Sequence, residues 1–181
     1  MEATPKPLSR KAVAGQRRIV GEVHGDAVPL LVHERLMDQV LDFSEKDTTR
    51  EMGGILLGAF CESDQPHVEV RNFVPFEDAR SHAASLTITH ESWSATTREI
   101  SQRFPDEQVV GWHHTHPNLG VFLSGYDLFI HRHFFRERWQ VALVVDPIRH
   151  EFGFYQWRGE AVVDCGFTIC LLYTSDAADD T

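Results

Sequence analysis

Gln108-Val-Val-Gly-Trp-His-His-Thr-His116-Pro117 is the stretch on which the reading of this chain turns. Its apolar opening suits a buried strand, and Pro117, which has no N–H to give a ladder, stops it. Successive side chains of a strand leave opposite faces, so His114 and His116 share one face while His113 and Thr115 share the other. After a turn region, Ser124 to Phe135 resumes the apolar spacing of a helix. Asp127 falls one turn into that helix, where a single reversal of the chain would set its carboxylate beside the two imidazoles.

Elements of both kinds flank this stretch. Upstream, Val28 to Leu31 reads as a short strand, and His33 to Phe43 as a helix with Leu36, Met37, Val40, Leu41 and Phe43 on one side. Met52 to Phe60 has the length and apolar content of a buried strand, with His67 to Val74 as an alternating partner and Leu86 to Thr89 as a further short strand. A second helix is predicted from Glu91 to Arg103, ending before Pro105 because a proline pushes the preceding residue out of helical geometry. Downstream, Trp139 to Val145 and Glu151 to Trp157 read as strands joined by a turn at Asp146-Pro147. Strands and helices interleave without a repeat, which predicts an α+β domain with a mixed central sheet flanked by helices.

The 181 residues, 42% of them apolar and 24% charged, suit one soluble globular domain, expected over residues 21–169. Residues 1–20 carry Lys6, Arg10, Lys11, Arg17 and Arg18 with no apolar run behind them and read as a flexible, solvated basic tail. No run approaches the roughly 18 apolar residues of a membrane helix. A formal charge of -10, with basic residues clustered only in that tail, argues against a nucleic-acid partner. The last twelve residues, Cys170 to Thr181, resemble the translation of a transposase mosaic-end sequencing adapter and are expected to be foreign to the native protein, which would continue past Ile169 into other sequence. Cys61 and Cys165 are far apart and form no CxxC, which suits a reducing, cytoplasmic setting.

Two imidazoles and a carboxylate are a donor set suited to zinc, and three protein ligands leave the open position that catalytic sites keep. Each part also has a plain structural explanation. An HxH on a strand commonly holds no metal, and Ser124-x-x-Asp127 is a helix capping box that would account for both residues. His131 and His133 form another HxH, but two apart on a helix they do not share a face and read as surface, with His131 alone within reach of the site as a supporting group. A cupin would need a glutamate a few positions after the HxH, and a metallo-β-lactamase an aspartate and a histidine where this chain has Asn118 and Leu119.

Val110 to Asp127 resembles the signature H-[ST]-H-P-x6-S-x2-D of the JAMM (MPN-plus) metalloisopeptidase family, and Glu51-Met-Gly-Gly-Ile-Leu-Leu-Gly58 resembles the family's glutamate-bearing strand E-x-x-G-x-L-x-G. Val141 to Ile148 is similar to the strand and turn after the family's zinc site, so the likeness runs from about Val28 to Trp157. It implies an α+β fold of the MPN, cytidine-deaminase-like type, with Zn2+ held by His114, His116 and Asp127. Glu51 would be the catalytic base, and Ser124 would donate to the tetrahedral oxyanion. The implied substrate is a peptide or isopeptide bond after the C-terminal tail of a ubiquitin-like protein. A sulfur-carrier protein as substrate, or an inactive MPN-type scaffold subunit, would present a similar sequence, and an MPN-type dimer partner is a further implication. Gly53, Gly54 and Gly58 are expected to mark the close approach of an extended substrate tail added as a strand. The segment from Phe76 to Ser85 stands where the family carries a substrate-covering insertion, and is expected to contact that tail. His113 in place of the usual tyrosine, and Asn118-Leu119 in place of Gly-Phe, flank the site and bear on substrate preference.

Overall fold

A computed structural model of the protein describes residues 17–76, 80–82 and 85–171. Strands β1 (Arg17–Val20) and β2 (Leu30–His33) lead into helix α1 (Glu34–Ser44), followed by β3 (Gly53–Cys61), β4 (His67–Pro75), β5 (Arg80–His82) and β6 (Ser85–Thr87). Helix α2 (His90–Arg103), β7 (Gln108–Thr115) and α3 (Gly125–Phe134) precede β8 (Val141–Asp146), β9 (Glu151–Arg158), β10 (Ala161–Cys165) and β11 (Phe167–Cys170). Nine strands form one mixed sheet in the order β1-β11-β2-β4-β3-β7-β8-β9-β10, and β5 pairs with β6 as a separate antiparallel hairpin. The expected α+β architecture is the one observed.

Helices cover both faces of the sheet. On one face α1 turns Leu36, Met37 and Val40 onto Val32, Leu56, Val68, Val70 and Leu143. On the other, Trp93 and Ile100 of α2 and Ile130 of α3 pack on Ile55, Leu57, Val74, Trp112 and Ala142. Both clusters are needed because the central strands are apolar on both sides, and burial at about 25 cal/mol per Å2 is what holds such a layered stack together. A bulge sets the phase of β7. Leu56 and Leu57 face Gly111 and Val109, so Val110 is the extra residue and packs on the α1 side, whereas Trp112 two positions later packs on the α2/α3 side. From Trp112 onward the alternation is regular, and it is this segment that carries His114 and His116.

Several expectations move. Arg17–Val20, assigned to the solvated tail, add an edge strand by pairing with β11, and β10 and β11 themselves were not foreseen. These are four- and five-residue strands near the sheet margins, too short for periodicity to register. Cys170, the first residue of the suspected foreign segment, closes β11 opposite His33, while residues 1–16 and 172–181 lie outside the described residues.

The glycines of β3 also have a different reason from the one expected. β3 is hydrogen-bonded on both edges, to β4 and to β7, so no substrate strand can be added to it. A Cβ on Gly58 would collide with the carbonyl oxygen of Glu69 in β4, and one on Gly53 with that of His113 in β7. The close backbones belong to the sheet itself.

Candidate metal centre

The end of β7 and the first turn of α3 bring three donor atoms together. His114 Nε2 and His116 Nε2 are 3.1 Å apart, and each lies 3.3 Å from Asp127 Oδ2. A tetrahedral ion about 2.0 Å from each donor requires edges of roughly 3.3 Å, so the triangle already has the dimensions of one face of a zinc coordination sphere. All three side chains are buried. Three donor atoms packed this closely need a cation or a proton between them, and the donor set fits zinc. Glu51 Oε1 stands 3.8 Å from His116 Nε2, beside that face.

Neighbouring residues hold each group in place. The Ser124 backbone N–H donates to Asp127 Oδ2 at 2.7 Å while Ser124 Oγ accepts from the Asp127 N–H at 3.1 Å, a reciprocal capping box. Capping and metal-ligand geometry, alternatives in the sequence, are thus the same arrangement, since the cap presents the carboxylate to the imidazoles. His116 Nδ1 lies 3.2 Å from the Gly120 carbonyl, which calls for an N–H there and leaves the lone pair on Nε2. The His114 ring stacks on Trp112 with centroids 4.4 Å apart. Glu51 is anchored from two directions. Its neighbour Met52 exchanges hydrogen bonds with Thr115, and the backbone N–H of Leu86 donates to Glu51 Oε2 at 2.7 Å.

Charge follows this geometry. Burial opposes ionisation of Asp127, but hydrogen bonds from His114 and His116 hold its carboxyl well below the usual range. Burial likewise works against a charged His116, yet Asp127 and then Glu51 carry its pKa above the ordinary value. The pocket is therefore strongly cation-attracting, and a metal would stand where those carboxylates otherwise draw a proton.

All five residues singled out in the sequence, Glu51, His114, His116, Ser124 and Asp127, meet here. Others behave differently from expectation. His113 does not flank the site. It is fully buried on the opposite face, with Nε2 3.2 Å from Ser44 Oγ, Nδ1 3.0 Å from the Leu143 carbonyl and its ring edge-on to Phe73, and burial pushes its pKa down to about 3. Only Asn118 and Leu119 remain beside the ligands, in a turn where Asn118 takes a left-handed φ of 59°. His131 is buried instead of surface, because its place four residues after Asp127 repeats the inward stripe of α3. Its Nδ1 accepts from Trp112 Nε1 at 3.1 Å, so it supports the ring under His114 without reaching the ligands. His133 is exposed, as expected. Of the segment from Phe76 to Ser85, residues 77–79 and 83–84 lie outside the described residues.

Sequence reading missed Asp146 and Thr115. Asp146 is fully buried and accepts the backbone N–H groups of Asn118, Gly120, Ile148 and Arg149 at 2.8–3.0 Å, tying the loop after His116 to the end of β8. Its one sequence signal was the Asp-Pro turn. Thr115 fills the [ST] position of the quoted signature, which gave it no role.

Residues 27–138 match the family model described as JAB1/Mov34/MPN/PAD-1 ubiquitin protease. The 26S proteasome non-ATPase regulatory subunit 14 of Dictyostelium discoideum is 37% identical over 163 residues, covering 84% of this chain and 50% of that one. The ubiquitin carboxyl-terminal hydrolase RPN11 of Saccharomyces cerevisiae is 36% identical over 115 residues, 63% of this chain and 35% of its own length. COP9 signalosome complex subunit 5 of Caenorhabditis elegans is 49% identical over 78 residues, 42% of this chain and 21% of that one. The chain thus spans half or less of the length of these curated relatives. In fold it is similar to the solution structure of protein DSY2949 from Desulfitobacterium hafniense, with a TM-score of 0.59 over 78% of this chain and 92% of that one at 14% identity. On the strength of the family match across most of the folded region, the chain belongs to the JAB1/Mov34/MPN/PAD-1 family.

Proposed function

We propose that this protein is a zinc-dependent isopeptidase that hydrolyses the peptide or isopeptide bond following the C-terminal tail of a ubiquitin-like protein. The observation that carries this reading is the convergence of His114 Nε2, His116 Nε2 and Asp127 Oδ2 at 3.1–3.3 Å with the Glu51 carboxylate alongside. Zinc held by those three atoms would supply Lewis acidity, polarising the scissile carbonyl and lowering the pKa of the attacking water towards 7.

The chain's own residues do the rest. Glu51 Oε2 is engaged by the Leu86 N–H, so Oε1 is the oxygen free to take the proton of the attacking water and pass it to the leaving amine. Ser124 Oγ accepts the Asp127 N–H through a lone pair, which leaves its own hydroxyl proton to donate to the oxyanion. Because both edges of β3 are taken, an extended substrate tail must lie elsewhere along the site's mouth. Leu119, Phe122, Tyr126 and Phe129 are exposed on the turn and helix that present the ligands, and they give that side an apolar surface suited to a folded protein substrate.

Zinc-loaded protein offered a panel of ubiquitin-like and sulfur-carrier proteins, in linear fusions and in isopeptide-linked forms, tests the proposal. Cleavage after the tail, abolished by a chelator and restored by zinc, is the expected result. Unimpaired cleavage in chelator, or no cleavage of any member of the panel by zinc-loaded protein, would overturn it.

A further inference from the structure

At the opposite end of β3 from the histidine pair lies a second cluster of metal-binding side chains, which the hydrolytic reading does not use. Cys61 is the last residue of β3 and sits directly across from His67, the first of β4, while Glu69 follows His67 by two and so shares its face. One ligand atom from each of the three lies within 4.8 Å of the other two. Glu69 Oε1 is the centre of the group, 3.3 Å from His67 Nε2 and 3.8 Å from Cys61 Sγ. A tetrahedral zinc with Zn–N near 2.0 Å and Zn–S near 2.3 Å needs edges of roughly 3.3 Å and 3.6 Å, so the two edges that meet at Glu69 are within a few tenths of that requirement, and the third is no longer than 4.8 Å.

The surroundings prepare these atoms for a cation. His67 Nδ1 lies 2.9 Å from the Gln65 carbonyl, which fixes the N–H on Nδ1 and turns the Nε2 lone pair towards the Glu69 carboxylate. The ring nitrogen and the carboxylate oxygen then call for a cation or a proton between them, as the donors of the first site do. Arg71 does not fill that role, because it donates to the other oxygen, Glu69 Oε2, at 2.9 Å, and its own charge is shared with Glu107. Glu69 is almost fully buried, whereas His67 and Cys61 are partly exposed, so the carboxylate is held rigidly while an ion and its completing water can enter from solvent.

We infer that Cys61, His67 and Glu69 form a second divalent-metal site of thiolate–imidazole–carboxylate type, suited to zinc, that clips the β3–β4 hairpin. Binding would release the Cys61 thiol proton to solvent as the sulfur becomes a ligand. Cys61 is eight steps along β3 from Gly53, whose register partner is His114, so at about 3.3 Å per step the two sites lie about 26 Å apart and load independently.

Cobalt titration of the metal-free full chain reads this site without reference to hydrolysis, because the histidine–aspartate site contains no sulfur. Two equivalents of Co2+ should bind, with a thiolate-to-cobalt charge-transfer band in the near ultraviolet. Cys61→Ser should lose the band and one equivalent, and His67→Ala one equivalent, whereas Asp127→Ala should keep the band while losing the other equivalent. Circular dichroism of each variant identifies any that fail to fold, and two independent ligand variants guard against losing one of them. If His67 and Glu69 are only an ion pair, the wild-type chain will bind a single equivalent with no thiolate band. That result, or a band that survives in Cys61→Ser, would overturn the inference.

Discussion

Replacing Glu51 with Gln removes a negative charge and a proton acceptor while keeping the shape of the side chain. The amide oxygen can still accept the Leu86 N–H that Oε2 accepts at 2.7 Å, so the contact between Glu51 and β6 survives. What changes is the other position, where an NH2 group replaces Oε1, 3.8 Å from His116 Nε2. None of the three ligand atoms is touched, so bound zinc should stay within a few-fold of wild type. The reaction loses the group that accepts and returns a proton, typically worth 10²–10⁴-fold, or about 3–5 kcal/mol of barrier. The assay is kcat and KM on a cleavable ubiquitin-like fusion, alongside metal content by atomic absorption. Loss in kcat with KM and zinc preserved is expected. A Glu51→Gln protein retaining more than a tenth of wild-type kcat with its zinc in place would refute the assignment of proton transfer to Glu51.

Asp146→Ala strands four backbone N–H donors around the loop that orients His116, and should lower stability by about 2–4 kcal/mol in denaturant titration and weaken zinc binding 10- to 100-fold. Gly58→Ala forces β3 away from the Glu69 carbonyl and should cost more than about 2 kcal/mol in thermal melts, whereas Ala at Gly125, where a Cβ meets nothing, should cost little. His131, pushed down to about 4 by burial and then by His114, stays neutral when folded but protonates below about 6.5 once unfolded. Its contribution is complete above pH 6.5 and is lost as pH falls towards 4, about 2 kcal/mol by pH 5. His131→Phe should therefore flatten the pH dependence of stability over that window.

Legibility in the sequence followed the range of the physics involved. The pairing of His114 with His116 was readable because strand alternation is local, and it survives since the β7 bulge at Val110 lies upstream of both. The Ser124–Asp127 box was readable for the same reason, being closed within one helical turn. Glu51 could be placed beside the ligands only through family resemblance, as the β3–β7 pairing that brings it there joins residues some 60 positions apart. His131 was misread because spacing two apart on a helix denies His131 and His133 a common face without saying that one of them must point inward. The glycines of β3 were read rightly as close-approach positions and assigned to the wrong neighbour, since nothing local distinguishes a substrate backbone from a flanking strand.

The position of β11 bears on how the protein is made. Although it is the last strand among the described residues, it lies between β1 and β2, parallel to the latter. During synthesis β1 has nothing to pair with, and the outer edge of β2 stays open, until residues 167–170 leave the ribosome. The most distant pairings in the domain are thereby the ones that cover the edge of β2, and until that slow step is complete the edge is a ready template for intermolecular strand addition. A ribosome stalled just before Phe167 would release a chain with its metal ligands in place and one flank open, inviting aggregation ahead of any loss of catalytic residues.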